Sequence, residues 1–157
     1  GSLYGRFGFS DVLTLFLALD ARVELYHAGM MSLADFIGMP RQQRDILVRV
    51  YLPRSPRRVV YLSQRNSATD FPTLTCAIAR QNGQTCCVIG ARPMRAMAFD
   101  DEKGLLAAGV NETSAAAFAK DLAARVPLGS NLRAGEEYRR LVCEALVRRG
   151  LVQMEGC

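Results

Sequence analysis

The hydrophobic positions change period along the chain, and each change predicts an element. Residues 12–19, Val-Leu-Thr-Leu-Phe-Leu-Ala-Leu, are apolar nearly all round, and Ser10 and Asp11 before them suit a helix N-terminus. That pattern predicts a buried helix. From Ala21 the period falls to two, with Val23 and Leu25 on one face and Arg22, Glu24 and Tyr26 on the other, as in a half-buried strand. His27-Ala28-Gly29 turns the chain, and Ser32, three residues before Asp35, opens a short helix over 33–37 that Gly38 and Pro40 end. Ile46, Val48, Val50 and Leu52 then alternate with Leu47, Arg49 and Tyr51, which predicts a strand stopping at Pro53.

Pro53-Arg54-Ser55-Pro56 interrupts the pattern and is the best candidate for a boundary. Beyond it, strands are predicted over 59–64, 73–80, 85–89 and 95–99, and Asn82-Gly83 between the second and third is a strong hairpin signal. From Asn111 the pattern is helical. Asn111 or Thr113 caps a helix whose Ala115, Phe118, Ala119, Leu122 and Val126 share a face, and Pro127 prevents its continuation. A last helix begins near Ala134. Its periodicity is read as burying Tyr138, Leu141, Val142, Ala145 and Leu146, with Arg139, Arg140, Glu144 and Arg148 left to solvent. Strands followed by helices predict an α+β fold, an antiparallel sheet with helices on one face.

Composition narrows the chemistry. With 157 residues, half of them hydrophobic and 22% charged, the chain can close a packed core as one domain or two small ones. No apolar run is long enough to cross a bilayer, and the glycine-rich opening does not read as a signal peptide, so a soluble cytoplasmic protein with no membrane partner is expected. The cysteines (Cys76, Cys86, Cys87, Cys143, Cys157) form no Cys-x-x-Cys pair and lack iron–sulfur spacing, so they read as reduced and mostly buried. In a strand, Cys86 and Cys87 point to opposite faces. The net charge of +5 arises in residues 53–100, which hold 7 basic and 2 acidic residues while both flanks are balanced. Arg54, Arg57, Arg58 and Arg65 open that segment. It shows neither the interleaved aromatics nor a motif of a nucleic-acid binder, so it reads as a solvated basic loop or a docking edge for an acidic partner.

One histidine, His27, in a turn, no paired carboxylates at a defined spacing and no Ser/His or Cys/His set argue against hydrolysis or metal catalysis. Cofactor binding asks less of a protein, because the cofactor brings its own chemistry. The opening residues, Gly1-Ser2-Leu3-Tyr4-Gly5-Arg6-Phe7-Gly8-Phe9, set three glycines and three aromatics before the free N–H groups of the first helix. Such a loop is either a tight entry turn or a place where a ligand approaches the backbone.

Gly1-Ser2, Phe9-Ser10-Asp11, Leu17-Ala18-Leu19-Asp20-Ala21 and the run from Asp45 to Pro53 resemble, in that order, the end of the FAD-binding domain in xanthine dehydrogenase and carbon monoxide dehydrogenase flavoproteins, the molybdenum hydroxylases. In that family a Gly-Gly-Asn loop, a Ser/Pro-rich turn ending in Asp, a Leu-Leu-Ala-Leu-Asp-Ala helix and a strand closing on Ile-Pro or Leu-Pro follow one another. Arg133-Ala134-Gly135-Glu136-Glu137-Tyr138-Arg139-Arg140 resembles the family's Arg-x-Ser-x-Glu-Tyr-Arg motif at the head of its last helix. The resemblance spans nearly the whole chain.

It implies that residues 1–53 end a PCMH-type FAD-binding domain and that residues 54–157 form a flavoprotein C-terminal domain. It implies FAD as cofactor, with Gly1 and Ser2 along its pyrophosphate and ribityl region, Ser10 and Asp11 at the turn that contacts it, and Ile46 and Leu47 near its adenine end. Read from residues alone, Ser10 and Asp11 cap a helix and Ile46 and Leu47 pack in a core. The family is an oxidoreductase that passes electrons from a molybdopterin centre through 2Fe-2S clusters, both on partner subunits, to FAD and on to NAD or another acceptor. This chain lacks the family's Ala-Gly-Gly-Thr phosphate loop, so it is expected to be a C-terminal portion with an incomplete FAD site and no activity alone. It also has Ser63, Gln64 and Arg65 where many members carry a lysine near Leu62 and an arginine at Asn66. Without the resemblance, the chain reads as a non-catalytic α+β interaction module docking through Arg54, Arg57 and Arg58.

Overall fold

The structure is a computed structural model that describes residues 1–40, 42, 44–54 and 57–156. Ser10 caps α1 (Asp11–Ala18), its hydroxyl accepting from the Leu13 N–H at 3.1 Å. Asp20, with a positive φ of 56°, turns the chain into β1 (Arg22–Leu25), followed by β2 (Gly29–Ser32), α2 (Leu33–Gly38) and β3 (Leu47–Tyr51). These three strands form an antiparallel sheet in the order β2-β1-β3. The pattern did not predict β2, whose short Met-rich run gains strand geometry by pairing along β1.

Strict alternation in β3 is not observed. A bulge at Glu24/Leu25 pairs Glu24 with Arg49 and Leu25 with Leu47, so Val48 is the extra residue and points outward. Leu47 and Val50, three apart, therefore face the core, while Ile46, Val48 and Leu52 are exposed.

The second sheet, β4 (Arg58–Gln64), β5 (Leu74–Gln81), β6 (Gln84–Gly90) and β7 (Met97–Asp100), is an antiparallel meander. Asn82 and Gly83 both take positive φ, 52° and 79°, in the hairpin turn between β5 and β6. The expected boundary at Pro53–Pro56 precedes β4, and of it Ser55 and Pro56 lie outside the described residues. α3 (Glu112–Arg125), capped by Asn111, and α4 (Glu136–Glu155) cover one face, packing Phe118, Leu122, Val147 and Leu151 onto Cys76, Ile78, Cys87 and Ile89. The opposite face is not open: Ala77, Ala79 and Val88 pack with Leu13, Ala18 and the β1 side chains Val23 and Leu25. The α+β architecture is thus three layers, and α1 is not wholly buried, because it lies over the sheet with Val12 turned outward. Contact is close where α1 crosses β5 and β6. Thr14 Oγ1 and Thr75 Oγ1 are hydrogen-bonded at 2.9 Å, and a Cβ on Gly90 would collide with both hydroxyls.

The last helix is rotated by about one residue from its predicted phase. It buries Arg139, Cys143, Leu146, Val147, Gly150, Leu151 and Met154, and it exposes Tyr138 and Leu141. Two constraints set this phase. Arg139, 1% exposed, donates from its guanidinium to the carbonyls of Thr73, Gly129 and Ala134 and to Asn131 Oδ1. Gly150 lets the helix lie against Ile78, whose Cδ1 is 2.7 Å from where a Cβ would stand.

Cys76, Cys87 and Cys143 are buried thiols on the α3/α4 side, and half-buried Cys86 faces the α1 side, as the strand alternation requires. Cys76 and Cys87 sulfurs lie 3.8 Å apart as a thiol contact. Burial pushes the Cys86 thiol up to about 11 and the Cys143 thiol up to about 12, so neither is a thiolate nucleophile near neutral pH. Cys157 lies outside the described residues.

Candidate functional site

The N-terminal loop is folded onto the small sheet rather than trailing. Gly5 N–H donates to Gly1 C=O at 2.9 Å and Arg6 N–H to Leu3 C=O at 3.1 Å. The Arg6 guanidinium, over the Phe36 ring, donates to Phe36 C=O and Met39 C=O at the end of α2, where Arg95 also donates to Ile37 and Met39. The Tyr4 hydroxyl accepts from the Asp45 N–H at 3.1 Å. Gly1 and Ser2 remain exposed, and nothing stands within 4 Å of a Cβ on Gly1, so that turn presents open backbone.

At the N-terminus of α1, Ser10 and Asp11 have different jobs. Ser10 is buried and its oxygen serves the cap. The Asp11 carboxylate turns away from the helix end and accepts from the Tyr61 hydroxyl and from Arg65 Nη2, the latter at 2.5 Å. Its side chain is still 38% exposed, and two donors leave a carboxylate with acceptor capacity. Burial, then the bond to Asp11, pushes the Tyr61 phenol well up, which keeps its hydroxyl a donor near neutral pH.

Arg65 carries the network onward, donating to Asp70 C=O at 2.9 Å. The Asp70 carboxylate accepts from Arg133 at 3.0 Å and from the Phe71 N–H at 2.7 Å, and these two contacts, Arg133 first, hold its pKa below the usual carboxylate value. Arg133 also lies over the Phe71 ring, 5.2 Å from its centroid. Phe7 and Phe9 stack with centroids 5.2 Å apart, and Phe9 meets Phe71 at 4.3 Å. Together with Pro72, Pro93 and Asn131, these side chains line a shallow cavity of about 310 Å³ beside the Ser10–Asp11 turn. An apolar wall with a few polar groups at its rim suits a planar ring system.

The sequence reading did not assign Tyr61, Arg65, Phe71 or Arg133 to a site. Phe7 and Phe9 were visible in the glycine-rich opening, but their meeting with Phe71, over sixty residues away, is a product of the fold. Ile46 and Leu47 lie elsewhere, at the entry to β3. Ile46 is 65% exposed and Leu47 joins the core beneath it. Asp45 beside them accepts from the N–H groups of His27, Ala28 and Ile46, which lower its pKa, His27 contributing most. Ser10 and Asp11 share no hydrogen-bond partner with Ile46 and Leu47 among the described residues.

The basic patch is partly spent inside the protein. Arg57 donates to Gln81, to the Ala18 carbonyl and to Asp20, which leaves Arg54 and Arg58 as its solvent-facing members. Among the described residues no group of three or more His, Cys, Asp or Glu could hold a metal ion, and no helix is long and apolar enough to cross a membrane.

No protein-family model and no curated protein matches the chain. Solved structures do. Quinoline 2-oxidoreductase from Pseudomonas putida 86 superposes with a TM-score of 0.81 at 19% identity, over 99% of this chain and 60% of that one. Carbon monoxide dehydrogenase from Hydrogenophaga pseudoflava, in a form lacking the Mo-pyranopterin moiety of its molybdenum cofactor, gives 0.77 at 18% identity, over 97% of this chain and 58% of that one. Reconstituted CO dehydrogenase from Oligotropha carboxidovorans gives 0.78 at 16%, over 99% and 60%. At these identities the likeness establishes a shared α+β fold of antiparallel sheets and helices. The chain spans about 60% of the length of the chains it matches.

Proposed function

We propose that this chain forms part of the FAD-binding subunit of a xanthine dehydrogenase-like molybdenum hydroxylase in the cytoplasm, with residues 1–53 closing a PCMH-type FAD-binding domain and residues 54–157 as the flavoprotein C-terminal domain. The observation that carries this reading is a partly exposed carboxylate, Asp11, two residues from Phe9 in the wall of an aromatic cavity, on a fold shared with such enzymes. These residues fit a flavin: Gly1 and Ser2 offer open backbone, Asp11 offers an acceptor, and Phe7, Phe9 and Phe71 offer an apolar wall. Bound FAD would supply the redox chemistry, linking a molybdopterin subunit and a 2Fe-2S subunit to NAD or another acceptor. The protein's share is placement. Ser10 fixes the turn from beneath, Tyr61 and Arg65 hold the carboxylate in one orientation, and Arg133 braces the Phe71 ring. Ile46, exposed, and Leu47 beneath it would flank the adenine end.

Asp11 variants of the intact subunit test this reading. Because Ser10 is the cap, Asp11→Asn leaves the helix start in place and removes only charge and one acceptor oxygen. Its partly exposed pair with Arg65 limits the stability cost to about 0.5–1 kcal/mol. FAD affinity, followed by flavin fluorescence, is expected to fall about tenfold or more, the worth of one charge-assisted hydrogen bond. Unchanged FAD retention in both Asp11→Asn and Asp11→Ala would remove Asp11 from the site.

The division at residue 54 makes a second prediction. The core between α3/α4 and the second sheet is complete within residues 58–154. A chain of residues 54–157 is therefore expected to melt cooperatively, while exposing Ala77, Ala79 and Val88, whose partners lie in α1 and β1. Thermal unfolding followed by circular dichroism checks it. A broad, non-cooperative melt would mean that the two halves share one core.

A further inference from the structure

Helix α4 carries, on the side away from α3 and the sheet, a seam that nothing else among the described residues covers. Tyr138, Leu141, Ala145 and Arg148 follow one another at spacings of three and four, the pattern through which two helices pack. All four are exposed, Leu141 at 69% and Tyr138 at 45%. Charges along the seam are sorted by end. Glu136 and Glu137 stand in the first turn, and Arg148 and Arg149 stand three turns on. Glu136 is occupied by Arg140 at 2.6 Å, whereas Glu137, Arg148 and Arg149 make no ion pair among the described residues.

We infer that α4 docks against α4 of a second copy of this chain, antiparallel, about a two-fold axis crossing the seam between Leu141 and Ala145. A two-fold interface must be complementary to itself, and this seam is so in one orientation only. Parallel pairing brings opposite flanks together at the same level, so Arg148 of each copy meets Arg149 of the other, like charge against like, and Glu137 meets no cation. Antiparallel pairing brings Glu137 of each copy level with Arg148 of the other, on the same flank. The two residues lie about 16 Å apart along one helix, centred on the axis. On the opposite flank Tyr138 comes level with Arg149 of the other copy, a ring face for a guanidinium. At the centre Leu141 meets Ala145, large against small. The inference does not depend on the flavin reading, since α4 lends no side chain to the aromatic cavity.

A single helical seam buries little area, so the dimer is expected to be weak, with Kd on the order of 10 μM, and to weaken with salt. Sedimentation equilibrium of the whole chain measures it. Glu137→Arg alone and Arg148→Glu alone each place like charges at both symmetry-related contacts and are expected to raise Kd about tenfold. Mixed in equal amounts, the two variants restore opposite charges at both contacts, and association should return to the wild-type level, as it should in the double variant. Both positions are exposed, so circular dichroism should show an unchanged fold. A chain that stays monomeric at about 200 μM, a dimer indifferent to either reversal, or single variants that fail to rescue each other on mixing would each overturn the inference.

Discussion

Replacing Arg139 with methionine is expected to cost about 3–5 kcal/mol, the largest single-site loss in the molecule. Methionine refills the volume of the stem but returns none of the donors. The carbonyls of Thr73, Gly129 and Ala134 and the side chain of Asn131 lose their shared partner at a place water hardly reaches. The burial that makes those bonds strong also depresses the Arg139 pKa, with neighbouring Arg133 adding to the effect. Arg139→Lys keeps a charge but not the planar fork that reaches four acceptors, so it should recover only part of the loss. Denaturant unfolding of the two variants beside wild type checks the order; a methionine variant within about 1 kcal/mol of wild type would mean that water replaces the guanidinium. Asn131 also lines the aromatic cavity, so Arg139 braces its rim without touching anything bound there.

Gly90→Val should cost about 2–3 kcal/mol by a different route, overpacking. Any side chain there strikes Thr14 and Thr75, whose hydroxyls are joined at the crossing of α1 over the sheet. Relief requires α1 to lift, and α1 carries Asp11 at its head. The substitution is therefore expected to lower the melting temperature by roughly 5–10 °C and to loosen the Asp11–Tyr61 contact as well. Alanine should show the same direction with smaller size. A valine variant that melts with wild type would show that the α1 crossing is more compliant than its close contacts suggest.

Features closed within a few residues were legible in the sequence. The Ser10 and Asn111 caps, the Asn82-Gly83 hairpin and the stop at Pro127 each satisfy their backbone groups locally, so residue type alone decided them. The α+β class followed from the order of periods, and the place of Ser10 and Asp11 at a helix start was legible because it is itself local, whereas their cofactor role is implied only by the family resemblance.

What depends on the opposite side of a contact was decided by tertiary structure. The β3 pattern looked strictly alternating, yet a bulge across from Glu24 turned Val48 out and brought Leu47 and Val50 in, because pairing in β1 set the register. Tyr138 and Leu141 looked like core and Arg139 like surface. Four acceptors that an arginine can fill, three in the loop just before α4 and one at Thr73 on the strand side, and a glycine at 150 that admits Ile78, rotated α4 the other way. The site itself divides along the same line. The family resemblance marked Asp11, but only the fold brought Tyr61 and Arg65 to its carboxylate and Phe71 to Phe9, since hydrogen bonds and ring contacts between residues fifty or more positions apart leave no periodic trace in a chain.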